Sequence, residues 1–174
     1  HGEGWYSGTA NAVYQNLSIS DEARPDQVLL LGGDHVYKMD YSVMLAEHAA
    51  RGAEMTVACL EVPVEQASEF GVMSIDPSGR IVAFAEKPKQ PVTLAHRPTH
   101  ALASMGIYVF DADLLVSELL RDAADPTSSH DFGKDIIPSL LSRHRVYAHS
   151  FKDSCVNMVD TTPYWRDVGT VDAY

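Results

Sequence analysis

The sequence predicts an α/β layered fold: a mixed, mostly parallel sheet with helices on both faces and an inserted hairpin. Segments of helical spacing alternate with short apolar runs of the kind that form buried strands. One pair of strand-like runs is joined by Asp76-Pro77-Ser78-Gly79, a cluster of turn formers. Of the 174 residues 45% are hydrophobic, enough to fill one sizeable core, so a single unit is expected.

The elements follow in order. From Thr9 the apolar positions Ala10, Val13, Tyr14 and Leu17 fall on one helical face, and Thr9 is placed to cap the first turn. Gln27 to Leu31 lies between Pro25 and Gly32-Gly33 and reads as a strand buried on both faces. Tyr41 to Arg51 is helical through Met44, Leu45 and His48, and it stops at Gly52. Met55 to Val62 is the next strand. The runs Gly71 to Ile75 and Arg80 to Ala85 make the hairpin. Residues 88 to 100, with Pro88, Pro91 and Pro98 and no periodicity, read as a surface loop. Ala103 to Phe110 returns as a strand, and Leu114 to Leu120 as a helix. Asp125 to His130 is a polar loop, and Phe132 to Ser142 a helix despite Pro138. Val146 to Phe151 and a segment near Trp165 are the last strand candidates.

Charge narrows the function classes. The 24 Asp and Glu against 13 Lys and Arg give a formal charge of −11, a surface that repels nucleic acid and anionic lipid. No apolar stretch approaches the roughly 20 residues needed to cross a bilayer, and the expected setting is the cytoplasm. Cys59 and Cys155 stand far apart and outside any zinc-like spacing, which suggests two reduced core thiols.

Ligands of open α/β sheets bind beyond the carboxyl ends of strands, which raises interest in charges placed there. In Leu31-Gly32-Gly33-Asp34-His35 the glycines permit close approach of a ligand, and Asp34 offers a hard oxygen donor suited to magnesium. The same aspartate would equally serve to cap a turn, and His35 suits packing. Asp167, in Tyr164-Trp165-Arg166-Asp167-Val168-Gly169-Thr170, is a second metal-ligand candidate, with an Arg166–Asp167 surface pair as the alternative. Glu86-Lys87-Pro88 ends a strand, and its proline holds both charges at the sheet rim, where lysine can grip phosphate.

These segments occur in one order together with Trp5-Tyr6-Ser7-Gly8-Thr9-Ala10, Phe70-Gly71-Val72-Met73, Ala103-Ser104-Met105-Gly106-Ile107-Tyr108-Val109-Phe110 and Ser129-His130-Asp131-Phe132-Gly133-Lys134-Asp135. Jointly they resemble the ADP-glucose pyrophosphorylases, across essentially the whole chain. The resemblance implies a partial Rossmann-like nucleotidyltransferase domain of the GT-A-like kind. Its reaction would join ATP and α-D-glucose 1-phosphate into ADP-glucose and pyrophosphate with Mg2+, in a homotetramer. Carried over by position, Tyr6, Gly71, Glu86, Lys87, Ser104, Tyr108, Asp131, Phe132 and Trp165 are the sugar-phosphate residues. Asp34 and Asp167 hold the metal, and Asp34, Lys87 and Asp167 are the catalytic set.

Two family elements are not among the 174 residues: the glycine-rich loop that cradles ATP phosphates and the left-handed β-helix. The expectation is therefore an incomplete catalytic domain over 1–174, inactive in isolation. Ser7 replaces an arginine of many relatives in a loop linked to allosteric communication, so regulation is not legible. Two neighbouring readings remain open: a nucleotidyltransferase making UDP-, dTDP- or GDP-sugars, and a catalytically silent regulatory subunit.

Overall fold

A computed structural model of the chain describes residues 6–16, 25–156, 158–159 and 162–167, with backbone alone at 158–159, 162–163 and 167. The central sheet has six strands: β1 (Gln27–Leu31), β3 (Met55–Pro63), β4 (Gly71–Ile75), β5 (Ile81–Glu86), β6 (His100–Asp111) and β7 (Val146–Ser150). A separate two-stranded ladder pairs β2 (His35–Tyr37) with β10 (Trp165–Asp167), and β8 (Met158–Val159) pairs with β9 (Thr162–Pro163).

The long strand β6 organises the sheet. Along one edge it pairs with β3 from Met55↔Phe110 to Pro63↔His100. Its other edge is shared: β1 takes Ile107 to Asp111, and β4 takes only Leu102 and Ala103. The edge is thus split at Ser104-Met105-Gly106. The β3–β6 register also shifts between Val57 and Cys59, opposite that split, and Gly106 has φ +69 there. A side chain at Gly106 would be strained in this left-handed conformation, so glycine permits the bulge.

The α/β layering, the hairpin and the helices on both faces are as expected, but the pairing is not mostly parallel. Only β3 and β7 pair in parallel in this sheet; its other ladders are antiparallel. The reason is β6, which runs against β1, β3 and β4 and lies among them. A second difference concerns β1, which is half-buried, with Leu31 49% exposed, rather than buried on both faces. Among the described residues it has a strand neighbour only in β6, so one side is less covered.

Side-chain alternation divides the core. Met55, Val57, Phe110 and Leu102 point to the face covered by α1 (Thr9–Tyr14), α4 (Ala112–Ala123), a π-helical turn (Phe132–Ile136) and α5 (Ile137–Leu140). Ala58, Met105, Ile107 and Val109 point to the opposite face, with Met44 of α2 (Tyr41–Ala50) and Phe151. A one-turn helix, α3 (Val64–Ala67), connects β3 to β4. Each fully buried Met, Ile or Phe contributes about 1.5–3 kcal/mol. On α2 the buried His48 is paired at both ring nitrogens, with Thr56 Oγ1 at 2.7 Å and Asp111 Oδ1 at 2.9 Å. The α2 helix is capped by Asp40, whose carboxylate accepts from Ser42 N, and it ends before Gly52 at φ +60, as expected.

Other expectations are adjusted locally. Thr9 is not the cap of α1: Gly8 holds that position, and the helix N-terminus donates from Ala10 N to the His130 carbonyl at 2.8 Å. Leu17 lies outside the described residues. The expected helix from Phe132 divides into the π turn and α5 because Pro138 cannot supply an N–H within a helix, whereas in the first turn of α5 none is required. Cys59 is a buried thiol whose pKa burial raises to about 12. Cys155 is half-buried rather than a core residue. No helix among the described residues is long and apolar enough to cross a membrane.

Candidate active site

A cavity of about 530 Å³ opens where β6 is left unpaired between β1 and β4. Its walls come from segments remote in sequence. The segment from the end of β1 to the start of β2 supplies Gly32 to His35, and the entry into β4 supplies Phe70 and Gly71. The end of β5 supplies Glu86 and Lys87, the bulge of β6 supplies Ser104 and Tyr108, and the loop into the π turn supplies Asp131, Phe132 and Gly133. The sequence-predicted residues Asp34, Gly71, Glu86, Lys87, Ser104, Tyr108, Asp131 and Phe132 therefore share one cavity. Among the described residues Tyr6 and Trp165 are not part of its lining. Tyr6 is 52% exposed on the segment leading into α1. Trp165 packs behind the wall, with ring centroids 5.1 Å from both His35 and Phe70.

Asp34 presents a side chain 59% accessible to solvent, with its Oδ1 3.6 Å from His35 Nε2. Among the described residues no backbone N–H bonds to its carboxylate. The β2–β10 ladder sets Asp167 opposite His35, which brings the backbones of residues 34 and 167 to one locality. The Asp167 side chain lies outside what is described, as does the expected contact between the two carboxylates. Among the described residues no three His, Cys, Asp or Glu side chains are grouped so that they could hold a metal ion. A Cβ at Gly106 would stand 3.3 Å from His35 Cε1, a tight contact. His35 Nδ1 and Trp165 Nε1 are buried without a hydrogen-bond partner among the described residues.

Glu86 ends β5 and Lys87 follows it, and both line the cavity. Lys87 adopts φ +45, a conformation costly for a residue with a side chain, and its N–H donates to the Phe70 carbonyl at 3.0 Å. Glu86 rests between two glycines. A Cβ at Gly133 would stand 2.2 Å from Glu86 Oε2, and one at Gly71 would stand 3.0 Å from the same oxygen. Gly133 was not singled out from sequence, although a glycine inside a predicted helix is a signal of close approach. The rings of Tyr108 and Phe132 meet with centroids 5.6 Å apart and planes tilted by 39°, and both residues line the cavity beside its carboxylates. Burial raises the pKa of Tyr108, as do Glu86 and Asp131, while Ser104 opposes the shift.

Glu86 has its pKa raised above the ordinary glutamate value of 4.5, first by burial and then by the Asp131 carboxylate, with Lys87 opposing. Its folded value exceeds its unfolded one. The associated stability is therefore present below the unfolded pKa and lost as pH rises through the folded pKa. Glu86→Gln in the full-length protein should then be more resistant to urea than the parent near about pH 7.5. That advantage should shrink as pH falls below about 4.5. Equal midpoints at both ends of the range would contradict the strain assigned to this carboxylate.

Comparison with known proteins agrees with the layout. The nucleotidyl transferase family matches residues 2–174. The chain is 62% identical over 172 residues to a protein of Nitrosospira multiformis named glucose-1-phosphate adenylyltransferase, covering 99% of this chain and 40% of that protein. The proteins of the same name from Nitrosomonas europaea and Methylobacillus flagellatus are 61% and 60% identical, with 98% and 99% of this chain covered and 40% of each relative. The chain thus spans about 40% of the length of the curated relatives it matches. With a family match over nearly every residue and a cavity at the split edge of β6, the chain belongs to the nucleotidyl transferase family.

Proposed function

We propose that this chain forms the sugar-phosphate half of an adenylyltransferase site and that the full-length protein makes ADP-glucose and pyrophosphate from ATP and α-D-glucose 1-phosphate. The observation that carries the reading is the gathering of Asp34, Glu86, Lys87, Asp131 and Phe132 around one cavity from segments remote in sequence. The names of the relatives favour the same substrates. The 174 residues are read as part of a longer catalytic domain, within a cytoplasmic homotetramer.

Carboxylates such as Glu86 and Asp131 accept pairs of sugar hydroxyls, and the aromatic rings of Phe132 and Tyr108 offer apolar contact to the sugar. Lys87 anchors the sugar phosphate by charge. One oxygen of that phosphate attacks the α-phosphorus of ATP in line; a new P–O bond forms, and the bond to the departing pyrophosphate breaks. The nucleophile is already anionic near neutral pH, so the protein contributes placement and charge neutralisation rather than a strong base. The donor at the cavity suits a hard cation: the Asp34 side chain is 59% accessible to solvent, with the His35 imidazole 3.6 Å from Oδ1. Asp34 and Asp167 would hold Mg2+, which when bound supplies neutralisation of phosphate charge.

The test is the full-length protein supplied with glucose 1-phosphate and equal amounts of ATP, UTP, dTTP and GTP. ADP-glucose should dominate the products. A dominant UDP-, dTDP- or GDP-sugar would reassign the base, and the absence of any nucleotide sugar would favour a silent regulatory subunit.

A further inference from the structure

Thr9 was expected to cap its own helix, but its hydroxyl is engaged elsewhere. Thr9 Oγ1 donates to Asp131 Oδ2 at 3.2 Å and accepts from Phe132 N at 3.0 Å. Both partners line the cavity, as does Thr9 itself. The other oxygen of Asp131 is also held, since Oδ1 accepts from Lys134 N at 3.0 Å. Each carboxylate oxygen thus has one fixed donor, and the orientation of the group is determined from two sides.

The surrounding backbone makes this contact specific. Gly8, at φ +147, approaches the 129–130 backbone so closely that a Cβ would lie 2.2 Å from the His130 carbonyl oxygen. Ala10 N donates to that same oxygen at 2.8 Å. On the far side, Asp122 accepts from Ser128 Oγ at 2.6 Å and pairs with His130 Nδ1 at 2.7 Å, while Asp135 accepts from Ser129 Oγ at 2.7 Å and from Asp131 N at 3.0 Å. The loop is pinned from behind by Asp122 and Asp135 and from the front by the first turn of α1.

We propose that Thr9 is a positioning residue for the sugar pocket: its hydroxyl holds Asp131 and Phe132 in the arrangement that receives the sugar. This rests on the function proposed above. In the open cavity Thr9 is exposed, so water competes with its hydroxyl. A sugar filling the cavity excludes that water, and the bond to a charged acceptor then gains weight.

The experiment uses the full-length protein with Thr9→Val, which keeps the shape and removes the hydroxyl, and Thr9→Ser, which restores it. Binding of glucose 1-phosphate is titrated calorimetrically, and KM is measured for each substrate. Thr9→Val should weaken glucose 1-phosphate binding roughly tenfold, the scale of one hydrogen bond to a charged group, and leave the KM for ATP unchanged. Thr9→Ser should return affinity to near the parent value. In an Asp131→Asn background the same Thr9→Val change should cost less than it does in the parent, because the charged acceptor is gone and only the bond from Phe132 N and a neutral contact remain to be lost. Parent-like affinity in Thr9→Val, a loss shared equally by Thr9→Ser, or additive losses in the double variant would each overturn the assignment. Should Thr9→Val not fold, Thr9→Ser and its combination with Asp131→Asn decide: Thr9→Ser must bind like the parent, and any other result overturns it. If the parent itself does not bind glucose 1-phosphate, the function proposed above fails, and this inference fails with it.

Discussion

Asp34→Asn in the full-length protein is expected to lower kcat roughly a thousandfold, about 4 kcal/mol of transition-state stabilisation. The substitution keeps the size of the side chain and removes its charge. The fold should tolerate it, because the carboxylate is largely solvent-facing and, among the described residues, its ionic neighbour is His35 Nε2 at 3.6 Å. The thermal midpoint should therefore stay near that of the parent while the Mg2+ concentration required for half-maximal rate rises. Steady-state kinetics over a magnesium series reads both effects. An unchanged kcat at saturating substrates would remove Asp34 from the metal assignment.

Lys87→Gln should act on a different quantity. The KM for glucose 1-phosphate is expected to rise about 10- to 100-fold, which corresponds to losing one charged contact of 1.5–3 kcal/mol. The KM for ATP should change little. Lys87 is placed for this at the rim of the cavity, beside Glu86, with a backbone held at φ +45 by the bond to the Phe70 carbonyl. Glutamine keeps most of the stem and a polar head, so loss of charge is the main change. A selective change in ATP affinity would contradict the phosphate-anchoring role and place Lys87 on the nucleotide.

Much of the architecture was legible because its signals are local. The spacing of Met44 and His48, the stop at Gly52 and the Asp76 to Gly79 turn each depend on residues within one element or its ends. The candidate site was legible for a different reason: its motifs occur in a known order, and they place Asp34, Glu86, Lys87 and Asp131 as a set. What remained hidden depends on long-range placement. The sense of the sheet followed from β6 lying among strands that run the other way, which no segment reveals by itself. Trp165 resembles a residue of the sugar pocket but lies behind His35 and Phe70. Gly106 carried a partial hint, because a glycine within a strand pattern often marks a bulge.

By itself the sequence determined the elements, the acidic surface and the chemical types available to a site, since helix and strand periods, caps and turns are properties of neighbouring residues. Only the tertiary structure decided where β6 is left unpaired, how Glu86 fits against Gly71 and Gly133, and that the Thr9 hydroxyl reaches Asp131 rather than its own helix. Those contacts join residues up to 122 positions apart. Their geometry is set by packing of whole layers, and local propensity carries no term for it.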